Sequence, residues 1–279
     1  QDALDTSWNI PAYWTYQTIL KNGQSVKPYM SKMGYKVDNY QIESLPLGGG
    51  IDPSVVQHTN GYQALLNGGQ YEQYYVVDSI KDSNGKEIYK HQSQPVQVFS
   101  KATSSIMAEL LKGPIKSQKT TTFYGQLSNL NPTLAGADWV GKTGTSNDFV
   151  DVWLMVGTPT VTLSSWVGHD NNTPMAAMTG YNNNSQYLAQ MANSIYQANP
   201  GVFGVEQRFS LDPSVTKSTV LVSTGEKPGA FTGGSYTNFT LSGPTTTSYW
   251  AKPEGAPTTQ YKFAIGGSDS DYANAWTKI

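Results

Sequence analysis

Residues 138 to 169 hold three apolar runs separated by connections too short to contain a helix, and nothing else in the chain limits the fold as strongly. The runs extend from Asp138 to Thr145, Phe149 to Gly157 and Val161 to His169, with Thr158-Pro159-Thr160 joining the last two. Their Val, Trp, Leu and Phe content favours strand. Joined so tightly, they must be antiparallel neighbours in one sheet. The first run ends in Lys142-Thr143-Gly144-Thr145, which puts a positive charge and two hydroxyls on rigid backbone. Such a strand end is equipped to hold a carboxylate or an acyl oxygen.

Two patterns overlap there. Gly136-x-x-x-x-Gly141-Lys142-Thr143 satisfies the phosphate-loop expression, while Lys142-Thr143-Gly144 satisfies that of serine acyl transferases. A phosphate loop needs a helix after it, so that free N–H groups face the phosphates. Strand on both sides opposes that reading and leaves a purely structural hairpin as the plain alternative.

Around the three runs the chain alternates helices with turns. Pro11 opens a helix that Asn22-Gly23 closes, so Ser7 and Asn9 fall on the loop entering it, where either could merely cap the helix. Further helices are expected from Tyr29 to Gly34, from Pro53 to Leu66 with Asp52 as cap, from Ser100 to Lys112 before Gly113-Pro114, and from Asn184 to Ala198. Ile106, Met107, Leu110 and Leu111 should face inward on the fourth of these, and Leu188, Met191, Ala192 and Ile195 on the last. Leu45 to Gly50 reads as a loop of close backbone approach. Tyr71 to Val77 and Lys86 to His91 read as strands flanking an Asn84-Gly85 hairpin turn, and Thr120 to Pro132 as polar loop. The expected fold is α/β or α+β, with helices covering both faces of an antiparallel sheet.

From about Leu211 the composition shifts towards Ser, Thr, Gly, Pro and Tyr. We divide the chain into residues 1–211 and a small β-rich module at 212–279, the alternative being a disordered tail. Tyr236, Phe239, Tyr249, Trp250, Tyr261, Phe263, Tyr272 and Trp276, at strand-like intervals, argue for the module.

With 279 residues the chain can bury a substantial core, and 18 basic against 20 acidic residues give no electrostatic case for nucleic acid. The lack of cysteine excludes disulfides and thiolate metal sites and suits an extracytoplasmic bacterial protein. No run of about 18 apolar residues occurs, so a membrane anchor is expected outside this chain. Gln1 to Asp5 lead straight into patterned sequence without an initiator Met, as in a fragment. No cofactor or metal site is expected, since His58, His91 and His169 lie in no metal-ligand context.

Ser7-Trp8-Asn9 upstream and Lys142-Thr143-Gly144 downstream supply, in order, the S-x-N and K-T-G elements of penicillin-recognising serine acyl transferases. Here the chain resembles the transpeptidase domain of class A penicillin-binding proteins, with its nearest likeness to streptococcal members. The resemblance covers roughly residues 1 to 210 and runs through Leu47-Gly48-Gly49, Asn60 to Tyr71, Tyr74 to Val77, Gly141 to Asp148, and Ser165 to Asp170. The last seventy or so residues look like that family's C-terminal extension.

The family's reactive serine, in S-x-x-K, is missing from its expected place. Ser83-x-x-Lys86 is a hairpin turn, Ser214-x-x-Lys217 lies beyond the domain, and both follow S-x-N. The resemblance therefore implies that the nucleophile and the strands covering the Val161 to His169 edge belong to an upstream segment. It implies a stem peptide ending in D-Ala-D-Ala lying along Lys142 to Thr145, with Asn9 and Trp8 beside it. Ser7 and Lys142 would assist proton transfer, the Thr143 and Thr145 hydroxyls would hold the carboxylate, and Gly144 would let the substrate approach. β-Lactams would acylate the same serine. A glycosyltransferase domain and a transmembrane anchor at the outer face of the cell membrane are implied for the parent protein. Three rivals remain. They are a serine β-lactamase, which the 135 positions from Ser7 to Lys142 make too long, a β-lactam sensor without turnover, and a glycan- or partner-binding role for the C-terminal module.

Overall fold

The computed structural model describes residues 1–232 and 238–256. The chain divides into two compact units, Gln1–Asp212 and Pro213–Ile279.

The first unit opens with α1 (Asp2–Asp5) and α2 (Asn9–Lys21). The N-cap of α2 is Trp8, with no side-chain cap bond, and Asn9 is already helical. Neither Ser7 nor Asn9 is therefore occupied in capping, contrary to the plain sequence expectation. Next, α3 (Lys27–Lys32) starts two residues before its expected position and closes ahead of Gly34, at φ +75°. A 3-10 turn at Leu45–Leu47 then leads to Gly48, at φ +96°.

The cap of α4 (Val55–Leu66) is Ser54, whose Oγ accepts from the Gln57 N–H at 3.2 Å, rather than Asp52. Ser54 has the extended backbone that a capping residue needs. Short β1 (Gln70–Tyr71) pairs with β4 (Val96–Gln97), and between them β2 (Ser79–Lys81) and β3 (Glu87–Lys90) form the hairpin across Asp82 to Gly85. The expected strand from Tyr71 to Val77 does not continue past Tyr71. Glu72 instead accepts from His91, Ser93 and the Gln94 N–H at 3.1, 2.8 and 3.2 Å, contacts that hold the chain out of a ladder.

Gly113 and Pro114 were expected to end α5 (Lys101–Ser117), yet they lie inside it. Proline cannot donate to the carbonyl four residues back. That carbonyl, Leu110 O, accepts instead from Gln1 Nε2 at 3.0 Å, so the helix continues and buries Ile115. Of the expected inner side chains only Leu111 is buried, because the inward face runs through Ala102, Ala108, Leu111 and Ile115. The expected polar loop at 120–132 is mostly helix, α6 (Phe123–Leu130) followed by α7 (Pro132–Ala135). Phe123 and Leu127 are fully buried and drive that helix into the core.

The meander forms as expected, with β5 (Val140–Thr145), β6 (Asp151–Gly157) and β7 (Thr162–Gly168) antiparallel in the order β5-β6-β7. Lys142 pairs with Met155, Thr143 with Leu154, and Gly144 with Trp153. Alternation puts Gly141, Thr143, Leu154 and Val156 on one face, against α5 and α8 (Thr179–Ala198). Trp153 and Gly157 face the other way, towards His58 and Leu66 of α4. The sheet thus carries helices on both faces. Its larger core joins Phe123, Trp139, Leu154, Val156, Leu188 and Phe203, and Trp139 Nε1 donates to Leu134 O at 2.9 Å.

In the second unit β8 (Val215–Leu221) pairs with β11 (Thr245–Ala251), and β9 (Gly229–Thr232) with β10 (Asn238–Leu241). Among the aromatic residues that argued for a β module, Tyr236, Tyr261, Phe263, Tyr272 and Trp276 lie outside the described residues.

Candidate active site

One helix positions both halves of the site. Through Ile115, α5 packs beneath β5, where a Cβ on Gly141 would meet the Ile115 side chain. Through Leu110 O, which accepts from Gln1, the same helix holds α1, whose Asp5 is buried. The chain reverses after α1 by way of Ser7 at φ +56°, with the Trp8 N–H donating to Ala3 O at 2.9 Å. This turn brings the Ser7 hydroxyl to the end of the Lys142 side chain. Lys142 Nζ donates to Ser7 Oγ at 2.6 Å and to the Thr143 carbonyl at 2.8 Å.

Burial pushes the Lys142 ammonium down to a pKa of about 8, and among the described residues no carboxylate lies within ion-pair range of it. A partly desolvated cation without a counter-charge is unfavourable alone and favourable once an anion arrives. The strand that carries it is an edge of its sheet, with its outer side unpaired among the described residues. An extended peptide could add there by main-chain hydrogen bonds.

The other expected residues fall at different distances from this centre. Asn9 and Trp8 flank the Ser7 turn and are exposed, and Asn9 has no side-chain hydrogen bond among the described residues. Thr143 and Thr145 share the strand face opposite Lys142, but Thr143 is buried and Thr145 exposed. The structure therefore joins Ser7 to Lys142 directly, leaves Thr145 accessible, and turns the Thr143 side chain inward. Gly144 adds no side chain to the edge, and a Cβ there would make only ordinary contact with Trp153, 3.5 Å away. Ser83 stands in the β2–β3 turn, and Ser214 just before β8 in the second unit.

Behind the edge, Trp153 meets His58 edge-on, with ring centroids 5.2 Å apart, and His58 Nδ1 lies 2.9 Å from the Tyr35 hydroxyl. Burial lowers the His58 pKa and raises that of Tyr35 to about 12, so His58 accepts and Tyr35 donates. This pair supports the sheet without adding charge. The β5–β6 turn is tied by Asp151, which accepts from Ser146 Oγ and Trp166 Nε1, each at 2.9 Å. Sequence reasoning missed Tyr181, whose hydroxyl accepts from Thr145 Oγ1 at 2.7 Å. The only sequence signal was its aromatic ring ahead of a helix that was expected to begin three residues later.

The family described as the penicillin binding protein transpeptidase domain matches residues 15–200, a span that includes Lys142 to Thr145 and begins just after Ser7 to Asn9. Penicillin-binding protein 4 of Bacillus subtilis (strain 168) is 31% identical over 177 residues, 61% of this chain and 26% of that protein. Penicillin-binding protein 1A of Rickettsia prowazekii (strain Madrid E) is 26% identical over 188 residues, 62% of this chain and 24% of its own length. This chain thus spans about a quarter of such relatives. Among solved structures, penicillin-binding protein 1A from Haemophilus influenzae superposes with a TM-score of 0.67 at 18% identity, over 92% of this chain and 40% of that one. The imipenem acyl-enzyme of penicillin-binding protein A from M. tuberculosis superposes with a TM-score of 0.51 at 15% identity, over 68% of this chain and 46% of the other. These two likenesses are of fold.

Proposed function

The chain belongs to the penicillin-binding protein transpeptidase family, and from that premise we propose that it forms the substrate-holding part of a D,D-transpeptidase that cross-links peptidoglycan stem peptides. The observation that carries this reading is Lys142, a half-buried ammonium hydrogen-bonded to Ser7, on a strand edge with no carboxylate beside it and no strand paired to it among the described residues.

A donor peptide ending in D-Ala-D-Ala lies antiparallel to β5, its terminal carboxylate beside the Thr145 hydroxyl and within the field of Lys142. The Thr145 N–H forms half of an oxyanion hole, and Asn9 donates to a substrate amide carbonyl. A serine outside these 279 residues attacks the penultimate carbonyl. The C–N bond breaks, and D-Ala leaves as its nitrogen takes a proton relayed through Ser7, whose hydroxyl the Lys142 ammonium polarises. A stem-peptide amine from a neighbouring strand then attacks the acyl-enzyme and restores the serine. A β-lactam acylates the same serine, a reading in keeping with the imipenem acyl-enzyme of the penicillin-binding protein A named above. For the parent protein we propose an upstream glycosyltransferase and a membrane anchor. Among the described residues of this chain, no helix is long and apolar enough to cross a membrane.

Replacing Lys142 by alanine in the parent protein tests this reading. General acid–base participation contributes about a hundred- to ten-thousandfold, so labelled penicillin should be captured at least roughly a hundredfold more slowly, with folding intact by circular dichroism. Capture at the original rate would remove Lys142 from the chemistry.

A further inference from the structure

The Thr145 hydroxyl is not simply offered to solvent. Its Oγ1 donates to the hydroxyl of Tyr181 in the first turn of α8, which is pressed close to β6, since a Cβ on Gly180 would lie 2.6 Å from Val152 Cγ2. The Tyr181 ring meets Phe149 edge-on, with centroids 6.0 Å apart at 77°. Phe149 and the preceding Asp148 hold φ of +57° and +56°, a backbone region that non-glycine residues seldom occupy. Asp151 ties one end of that turn, and the Met175 N–H donates to the Phe149 carbonyl at 3.3 Å. The β5–β6 turn is therefore held in an uncommon shape that places an aromatic edge against Tyr181.

A hydroxyl has one proton to donate and two lone pairs. In this arrangement the Thr145 proton goes to Tyr181. When an anion takes that proton instead, Tyr181 can donate to the Thr145 oxygen it formerly accepted from. The result is a chain from the Tyr181 O–H through the Thr145 O–H to the anion, each bond polarising the next. We propose that Tyr181 is a positioning residue for the carboxylate of the donor peptide or β-lactam, acting through Thr145 and set in place by Phe149. The inference rests on the transpeptidase reading and deepens it.

The test uses the parent protein and compares acylation by benzylpenicillin with acylation by its methyl ester, which lacks the charge. Tyr181→Phe keeps the ring and its packing, and removes the hydroxyl. It should slow capture of the free acid by up to about tenfold, the upper worth of one neutral hydrogen bond, and leave the ester within about twofold. Adding Tyr181→Phe to Thr145→Ala should slow the acid no further, while Thr145→Ser, which retains a hydroxyl, should restore sensitivity to Tyr181→Phe. Equal slowing of acid and ester, additive losses in the double variant, or an unchanged rate would each overturn the role of Tyr181. If the unsubstituted parent protein is not acylated at all, the transpeptidase reading itself falls, and this inference with it.

Discussion

Lys142 has a pKa of about 8 because burial penalises its charged form, against an ordinary value of 10.5. Its own contribution to stability follows from that sign. Between about pH 8 and 10.5 the unfolded chain holds more protons than the folded one, so the folded state gains stability as pH rises through that window, and the penalty is complete below it. Activity should move the opposite way, because the proposed role needs the ammonium. Acylation by a β-lactam should therefore fall above about pH 8 in the unsubstituted protein. Lys142→Arg, which stays charged across the range, should abolish that decline even if its absolute rate is lower. A pH–rate profile of the two proteins checks this, and an unshifted alkaline limb in the arginine variant would assign the limb to another group. The contact between Ser7 and Lys142 was legible only as the order of two short motifs 135 positions apart. The opposed facing of Lys142 and Thr143 follows from strand alternation, but the burial of Thr143 depends on packing that no local pattern reveals.

At the scale of elements, the meander could be read because its strands pair with their immediate sequence neighbours, so turn length alone dictated the topology. The helices were less legible wherever tertiary contacts override local signals. Pro114 does not end α5 because a distant glutamine takes up the carbonyl that it leaves free, and α6 forms in a polar stretch because Phe123 and Leu127 reach the core. The early start of α8 hides in Thr179-Gly180-Tyr181, which has no apolar periodicity, while the contact with Val152 that places it is again tertiary. Farther along α8, Asn184 is buried, donates from Nδ2 to Val152 O at 2.6 Å and accepts from Ser165 Oγ at 2.8 Å, tying the helix to both β6 and β7. Asn184→Ala removes both bonds and leaves the buried Ser165 hydroxyl without its acceptor. A buried group so stranded costs about 1–3 kcal/mol and a lost hydrogen bond about 1 kcal/mol more, so denaturant unfolding should show a loss of roughly 2–4 kcal/mol. A loss below about 0.5 kcal/mol would mean that these bonds do not anchor the helix.

On the scale of the molecule, the first unit brings together a cation, a hydroxyl and a strand edge left unpaired among the described residues, while the two S-x-x-K sequences fall in the β2–β3 turn and just before β8. Trp8, Ile10 and Trp14, 58, 71 and 54% exposed, stand beside the Ser7 turn. Exposed apolar side chains so close in sequence would suit the reception of further polypeptide. We propose that this chain presents its lysine edge to a serine contributed by another part of the same protein. Peptide mapping by mass spectrometry, after reaction of the parent protein with a labelled penicillin, locates that serine. One acylated serine is expected, located outside these 279 residues, with labelling that slows sharply in Lys142→Ala. A stoichiometric adduct on Ser7, Ser83, Ser146, Ser214 or any other residue of this chain would contradict it.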